Sequence, residues 1–178
     1  MKIINTKFEG LKIIQQKNNK DTRGSLREIH NQKIINYKKF VFEYCTTSKK
    51  NVLRGFHFQH RFQQAKYVNV LKGKILDVVI DLRKNSKTFG KTYKIILSDK
   101  NCLSLYIPEG FAHAYYSYET YNIIYYKLTN YYHPKYEDGI IWNDKNLKIN
   151  WPDKKPQLSS KDKKLITLLD FVNKYEAL

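Results

Sequence analysis

The chain has 178 residues, enough for one domain whose core needs no disulfide staples, and its two cysteines, Cys45 and Cys102, form no CxxC pair. Lysines and arginines number 33 against 16 aspartates and glutamates, a formal charge of +17, yet the excess is lysine scattered along the whole chain. With no basic arm or block, this argues against a nucleic-acid partner and leaves a positive field suited to steering a small anion.

Period-2 alternation dominates the middle of the chain. Lys66–Leu71 (KYVNVL) reads as a strand with Lys66, Val68 and Val70 on one face, expected to be interior. Lys72-Gly73-Lys74 reads as a tight turn into Lys74–Leu82, which completes a hairpin. There Leu76, Val78, Ile80 and Leu82 share one face, and Asp77, Val79 and Asp81 the other. Further strands are expected at Tyr93–Leu97, Leu103–Ile107 and Asn122–Leu128. Short strands at this spacing predict an all-β sandwich or barrel. Beyond Pro156, Ser159 and Ser160 the period changes. Leu165, Leu168, Leu169, Val172 and Tyr175 recur at helical spacing, which predicts an amphipathic helix over residues 159–175.

No repeat or linker interrupts the chain, so residues 1–178 read as a single domain. No apolar run approaches the ~18 residues of a membrane span, and the N-terminus lacks the apolar core of a signal peptide. A soluble, cytoplasmic protein with no membrane partner is expected. Both cysteines read as small buried hydrophobes in a reducing compartment.

Separated motifs lie across these elements. They are DTRGSLRE at 21–28, VLRGFHFQ at 52–59, Gln64-Ala65-Lys66-Tyr67-Val68, and IPEGFAH at 107–113. Tyr131-Tyr132-His133-Pro134, GIIWND at 139–144, Asn150-Trp151-Pro152 and LSSKD at 158–162 follow. In this order and spacing they resemble the dTDP-4-dehydrorhamnose 3,5-epimerase family over nearly the whole chain. The resemblance implies a cupin-type jelly-roll β-barrel with a C-terminal helix. It implies a homodimer in which an N-terminal segment, within residues 1–30, is exchanged between subunits. It implies a nucleotide-diphosphate 4-keto sugar as substrate, inverted at C3, C5 or both for a surface polysaccharide, with no organic cofactor.

The chemistry explains why such a site needs these residue types. A 4-keto group acidifies the hydrogens on C3 and C5, so inversion needs a base on one face, an acid on the other and a cation at the enolate oxygen. The resemblance assigns the base to His57 and its orienting carboxylate to Asp162. Ser159-x-x-Asp162 is also a capping-box pattern at the expected helix start. The acid is assigned to Tyr132, with adjacent Tyr131 expected on the opposite face by strand parity. Lys66 is assigned to the 4-keto oxygen. His113 stands in a PxGxxH pattern that carries a metal ligand in many cupins. The first cupin metal motif would need a second histidine at position 59, and Gln59 occupies it, so a metal site is disfavoured. His113 and Gln59 are instead expected to contact substrate, as are Arg54, Arg23 and Glu28, the last two from the neighbouring subunit.

The chain departs from the family at Phe42-Glu43-Tyr44, where Gln-Asp-Asn is usual, at Leu26, where phenylalanine is usual, and at Ala114-Tyr115, where Gly-Phe is usual. The catalytic set is kept and the binding shell altered, so a GDP-linked 4-keto-heptose stands beside the dTDP-linked hexose. Other readings are a sugar-nucleotide 3,4-ketoisomerase, a metal-dependent oxygenase and a non-catalytic cupin binding module.

Overall fold

The computed structural model describes residues 1–35 and 38–178. In chain order its strands are β1 (Lys2–Asn5), β2 (Lys12–Gln15), β3 (Lys17–Asp21), β4 (Gly24–Glu28), β5 (Phe42–Ser48), β6 (Leu53–Gln59) and β7 (Lys66–Lys72). They continue as β8 (Lys74–Asp81), β9 (Thr92–Ser98), β10 (Leu103–Ile107), β11 (Phe111–Ser117), β12 (Asn122–Leu128) and β13 (Glu137–Gly139), followed by one helix, α1 (Leu168–Tyr175). The strands expected from alternation agree with β7, β8, β9, β10 and β12 to within one residue at either end. Gly73 makes the β7–β8 turn at φ +88°, where a Cβ would lie 2.4 Å from Asn122 Oδ1.

Two sheets face each other as a cupin-type barrel. One has the order β1-β2-β10-β7-β12-β5, the other β13-β6-β11-β8-β9. Val68, Val70, Ile124 and Leu128 from the first sheet pack inside against Ile75, Val79, Phe111 and Tyr115 from the second. Val78, Ile80 and Leu82 belong to a second core, outside the barrel, with Phe56, Trp151 and Phe171. The apolar face of β8 therefore carries the C-terminal segment, while Asp77 and Val79 point inward. Burying Phe171 completely contributes roughly 1.5–3 kcal/mol to that attachment. Cys102 is buried as expected, whereas Cys45 is exposed.

The helix is shorter than its periodicity suggested. It begins at Leu168 with a capping box formed by Thr167 and Asp170, not at Ser159. Residues 162–164 form a single 3-10 turn, and Ile166 bridges to Ile140 in extended conformation. The segment before Thr167 is held by tertiary bonds to β13 and its continuation, which override helical spacing. Leu169 is 61% exposed, and the buried residue of α1 is Phe171. Among the described residues no helix is long and apolar enough to cross a membrane.

β3 and β4 form a separate two-stranded hairpin that pairs with neither barrel sheet. β1 and β2, by contrast, join the chain's own barrel through β10.

Candidate active site

A cavity of about 240 Å³ opens between the two sheets. The five-stranded sheet supplies Arg54 and His57 from β6 and His113 and Tyr115 from β11; the other sheet supplies Tyr44, Thr46, Lys66 and Tyr126. Ser159, Lys161 and Asp162 from the C-terminal segment complete the wall.

The placement of Arg54 and His57 depends on a local irregularity. His113 pairs with His57 and Tyr115 with Arg54, so two residues on β11 span three on β6. This is a β-bulge, and it brings two residues of odd spacing to one face. Gly55 makes it possible. It sits at φ +110°, and a Cβ there would lie 2.4 Å from His113 O and 2.7 Å from Ala114 Cα. Glycine alone accepts that conformation and that approach.

His57 is bonded to one carboxylate and faces a second. Its Nε2 meets Asp162 Oδ1 at 2.6 Å, and its Nδ1 lies 4.0 Å from Glu137 Oε1. Asp162 also uses its own backbone N–H to donate to Ser159 Oγ at 3.0 Å. The two readings of this segment are thus met by different atoms: the serine caps the turn and the carboxylate turns to the histidine. Burial pushes the Asp162 carboxyl up, but hydrogen bonding to His57, the charge of His57, and Ser159 together bring it below the ordinary aspartate value.

Lys66 enters at the start of β7 on the inward face it shares with Val68 and Val70. Burial lowers its ammonium to about 8, against partial compensation from Glu137 and Asp77. His113 is buried, and its Nε2 lies 2.8 Å from Asp77 Oδ2. Tyr44 stacks on Tyr126 with ring centroids 4.9 Å apart, and burial, then neighbouring Tyr115, push its phenol up to about 12. Tyr115 hydroxyl is bonded to Ser48 Oγ at 2.8 Å and lies 3.1 Å from Thr46 Oγ1. Arg54 donates to Ser48 Oγ and to Thr47 O, both at 3.1 Å.

Tyr132 does not line this cavity; it is 48% exposed and is tied to the site through Glu137. Its hydroxyl donates to Glu137 Oε2 at 2.7 Å, and that bond, then burial, pushes its phenol up to about 12. Tyr131 and Tyr132 lie in an irregular segment after β12, so strand parity does not govern them. They diverge all the same: the Tyr131 ring packs against Phe42.

Three expected contact residues lie elsewhere. Gln59 is buried with its amide fully used, donating to Phe62 O and Tyr131 O and accepting from His133 N. It ties two loops together and does not line the cavity. Arg23, with 89% of its side chain exposed, pairs with Asp21 on the β3–β4 hairpin, and Glu28 accepts from Asn31. Sequence reasoning passed over Glu137, Lys161 and Asp77. Asp77 carried a signal, since it shares the inward face of β8 with Val79; Glu137 is placed only by the pairing of β13 with β6. Among the described residues no three His, Cys, Asp or Glu side chains gather into a metal-holding group.

A two-sheet barrel whose cavity is lined by a His–Asp pair, a half-buried lysine and phenols defines a cupin-type proton-transfer isomerase. Comparison with known proteins narrows the class. The family pattern described as dTDP-4-dehydrorhamnose 3,5-epimerase matches residues 5–170. The chain is 40% identical to the dTDP-4-dehydrorhamnose 3,5-epimerase of Escherichia coli K12, covering 97% of each protein. It superposes on the Legionella pneumophila dTDP-6-deoxy-D-glucose-3,5-epimerase, solved in complex with dTDP-4-keto-L-rhamnose, at TM-score 0.90 and 39% identity, covering 94% of this chain and 93% of that one. For the Bacillus anthracis dTDP-4-dehydrorhamnose 3,5-epimerase, solved with TDP and PPi bound, the values are 0.91, 37%, 94% and 99%. The chain belongs to the dTDP-4-dehydrorhamnose 3,5-epimerase family and is a carbohydrate epimerase.

Proposed function

We propose that the chain inverts C3 and C5 of a dTDP-linked 4-keto-6-deoxyhexose through an enolate. The observation that carries this reading is the His57–Asp162 pair at 2.6 Å, opening on a cavity that also holds the ammonium-bearing Lys66. His57 takes the proton from the carbon next to the ketone, and Asp162 fixes the ring and balances the imidazolium. Lys66 faces the oxygen on which the enolate charge collects, in a site of low dielectric where that charge is most strongly felt. Tyr132 returns a proton to the opposite face of the carbon. The sequence is redox-neutral and consumes no hydride carrier.

The dTDP moiety is taken from the relatives, whose names specify dTDP-linked sugars. A GDP-linked 4-keto-heptose is the second reading. Its support is that Tyr44 and Tyr115, two departures from the family pattern, line the cavity.

We also propose a homodimer in which the β3–β4 hairpin reaches the partner's cavity. Arg23 and Glu28 would then meet substrate in a site they do not line within one chain. The reaction itself is tested by incubation in D2O with dTDP- and GDP-linked 4-keto-6-deoxyhexoses and a GDP-linked 4-keto-heptose, locating deuterium by NMR. Uptake at C3 and C5 of the dTDP-linked sugar supports the first reading; uptake only from a GDP-linked sugar overturns its nucleotide, and no uptake from any overturns the enolate.

A further inference from the structure

Each inversion leaves the two proton-transfer groups in the wrong state. His57 has gained a proton and Tyr132 has lost one. Neither can act at a second carbon until the proton passes from one to the other or solvent restores both. Glu137 lies between them. Its Oε2 accepts from Tyr132 at 2.7 Å, and its Oε1 is 4.0 Å from His57 Nδ1. The other imidazole nitrogen is taken by Asp162, so Nδ1 is the one left to carry a mobile proton.

The backbone aims this carboxylate. β13 pairs with β6 so that Glu137 lies opposite Gln59 and Gly139 opposite His57. The next residue, Asp138, turns away to Lys174 and Tyr175 at 2.9 and 2.7 Å. Glu137 has 13% of its side chain exposed, and the Lys161 ammonium pairs with its Oε2. Lys66 and Tyr44 are the other titratable groups that feel its charge.

We propose that Glu137 is a proton relay that resets His57 and Tyr132 between successive inversions on one bound sugar. The proposal rests on the base and acid assignments above. The imidazolium Nδ1–H bond breaks and an O–H bond forms at Glu137 Oε1, across a gap that one water or a small closing movement spans. A turn of the carboxyl presents that proton to the tyrosinate oxygen. His57 ends neutral, Tyr132 protonated and Glu137 ionised, with nothing consumed. The direction is set by the tyrosinate, which its bond to Glu137 and then burial make a stronger base than a free phenolate. Burial pushes the Glu137 carboxyl up, but Lys161, Tyr132 and His57 outweigh it, so it waits in the ionised form that accepts a proton.

The test is Glu137→Gln in the full-length protein with dTDP-4-keto-6-deoxyglucose. The amide still accepts from Tyr132 but carries no proton between groups. With enzyme in excess, the first inversion is expected within about threefold of wild type, whereas steady-state turnover falls about tenfold or more. Singly inverted product accumulates, and turnover recovers as imidazole or formate buffer is raised. A first inversion and a turnover that fall together, without buffer dependence, would make Glu137 a positioning residue and overturn the relay; so would no change in either. The single-turnover amplitude counts competent sites, so partial unfolding does not imitate the result. If His57→Asn still exchanges deuterium, the base assignment itself fails, independently of Glu137.

Discussion

His57 and Asp162 are 105 residues apart in the chain and meet through Nε2 and Oδ1 at 2.6 Å. One comes from a barrel strand, the other from a 3-10 turn outside the barrel. The C-terminal segment is therefore part of the site as well as a cover for the second core. Its anchors, Phe171 against Phe58 and Ile166 against Ile140, hold the carboxylate in place.

Removing the base should remove turnover and leave the fold. For His57→Ala we expect a loss of at least about 10²–10⁴ in kcat, the usual contribution of a general base. The far-UV spectrum should be unchanged. Retention of most deuterium exchange would show that another group is the base.

Asp162→Asn tests the pair through stability as well as rate. The folded state holds this carboxyl below its ordinary value, so it binds fewer protons than the unfolded chain. The stability it contributes is present above the unfolded aspartate range, near ~3.9, and is lost as pH falls through the lower folded value. The variant should be less stable than wild type at neutral pH, with the difference narrowing below about pH 4. Urea midpoints across that range would check this.

Lys66 shows the opposite linkage. Its folded value of about 8 lies below the ordinary 10.5, so between these values the unfolded chain binds more protons and stability from this group rises with pH. At neutral pH the desolvated ammonium is a cost. Lys66→Met should raise stability at pH 7 by on the order of 1–3 kcal/mol, with the gain disappearing above the ordinary lysine value. The same change should lower kcat/KM by about 10²–10³. In the wild type, kcat/KM should decline on the basic side near pH 8 as Lys66 loses its proton. A lysine that merely sat on the surface would show neither effect.

Gly55→Ala should be among the most damaging single substitutions. The added Cβ meets His113 O at 2.4 Å at a φ of +110°. Backbone strain and overpacking together should cost roughly 3 kcal/mol or more. For a chain of this size that lowers Tm by about 6–12 °C. A melting curve within two degrees of wild type would show that the bulge adapts.

Arg23→Ala should raise KM about tenfold with little change in kcat, since one charge-assisted phosphate contact is lost. Sedimentation should find a dimer in place of the 21.3 kDa monomer. A monomeric, fully active protein would leave Arg23 without a role.

The all-β character, the interior face of β7 and the positions of five strands were legible in alternation, because pleated strands expose opposite faces at every second residue. The motifs also marked His57, Lys66 and Asp162 as members of one family site. Alternation alone would have put Arg54 and His57 on opposite faces, since they are three apart; the bulge at Gly55 reverses this, and it forms only when β11 lies alongside. Helical spacing overstated α1 because pairing with Ile140 and the bond to His57 outweigh local propensity between Ser159 and Ile166. Gln59 looked free to bind substrate until two loops folded onto its amide. Glu137 carried no mark in its neighbourhood; a three-residue strand placed against β6 sets it between Tyr132 and His57. The sequence by itself determined the barrel and the family. Which side chains share the cavity was decided by tertiary pairing, because register and bulges are settled between strands and not within them.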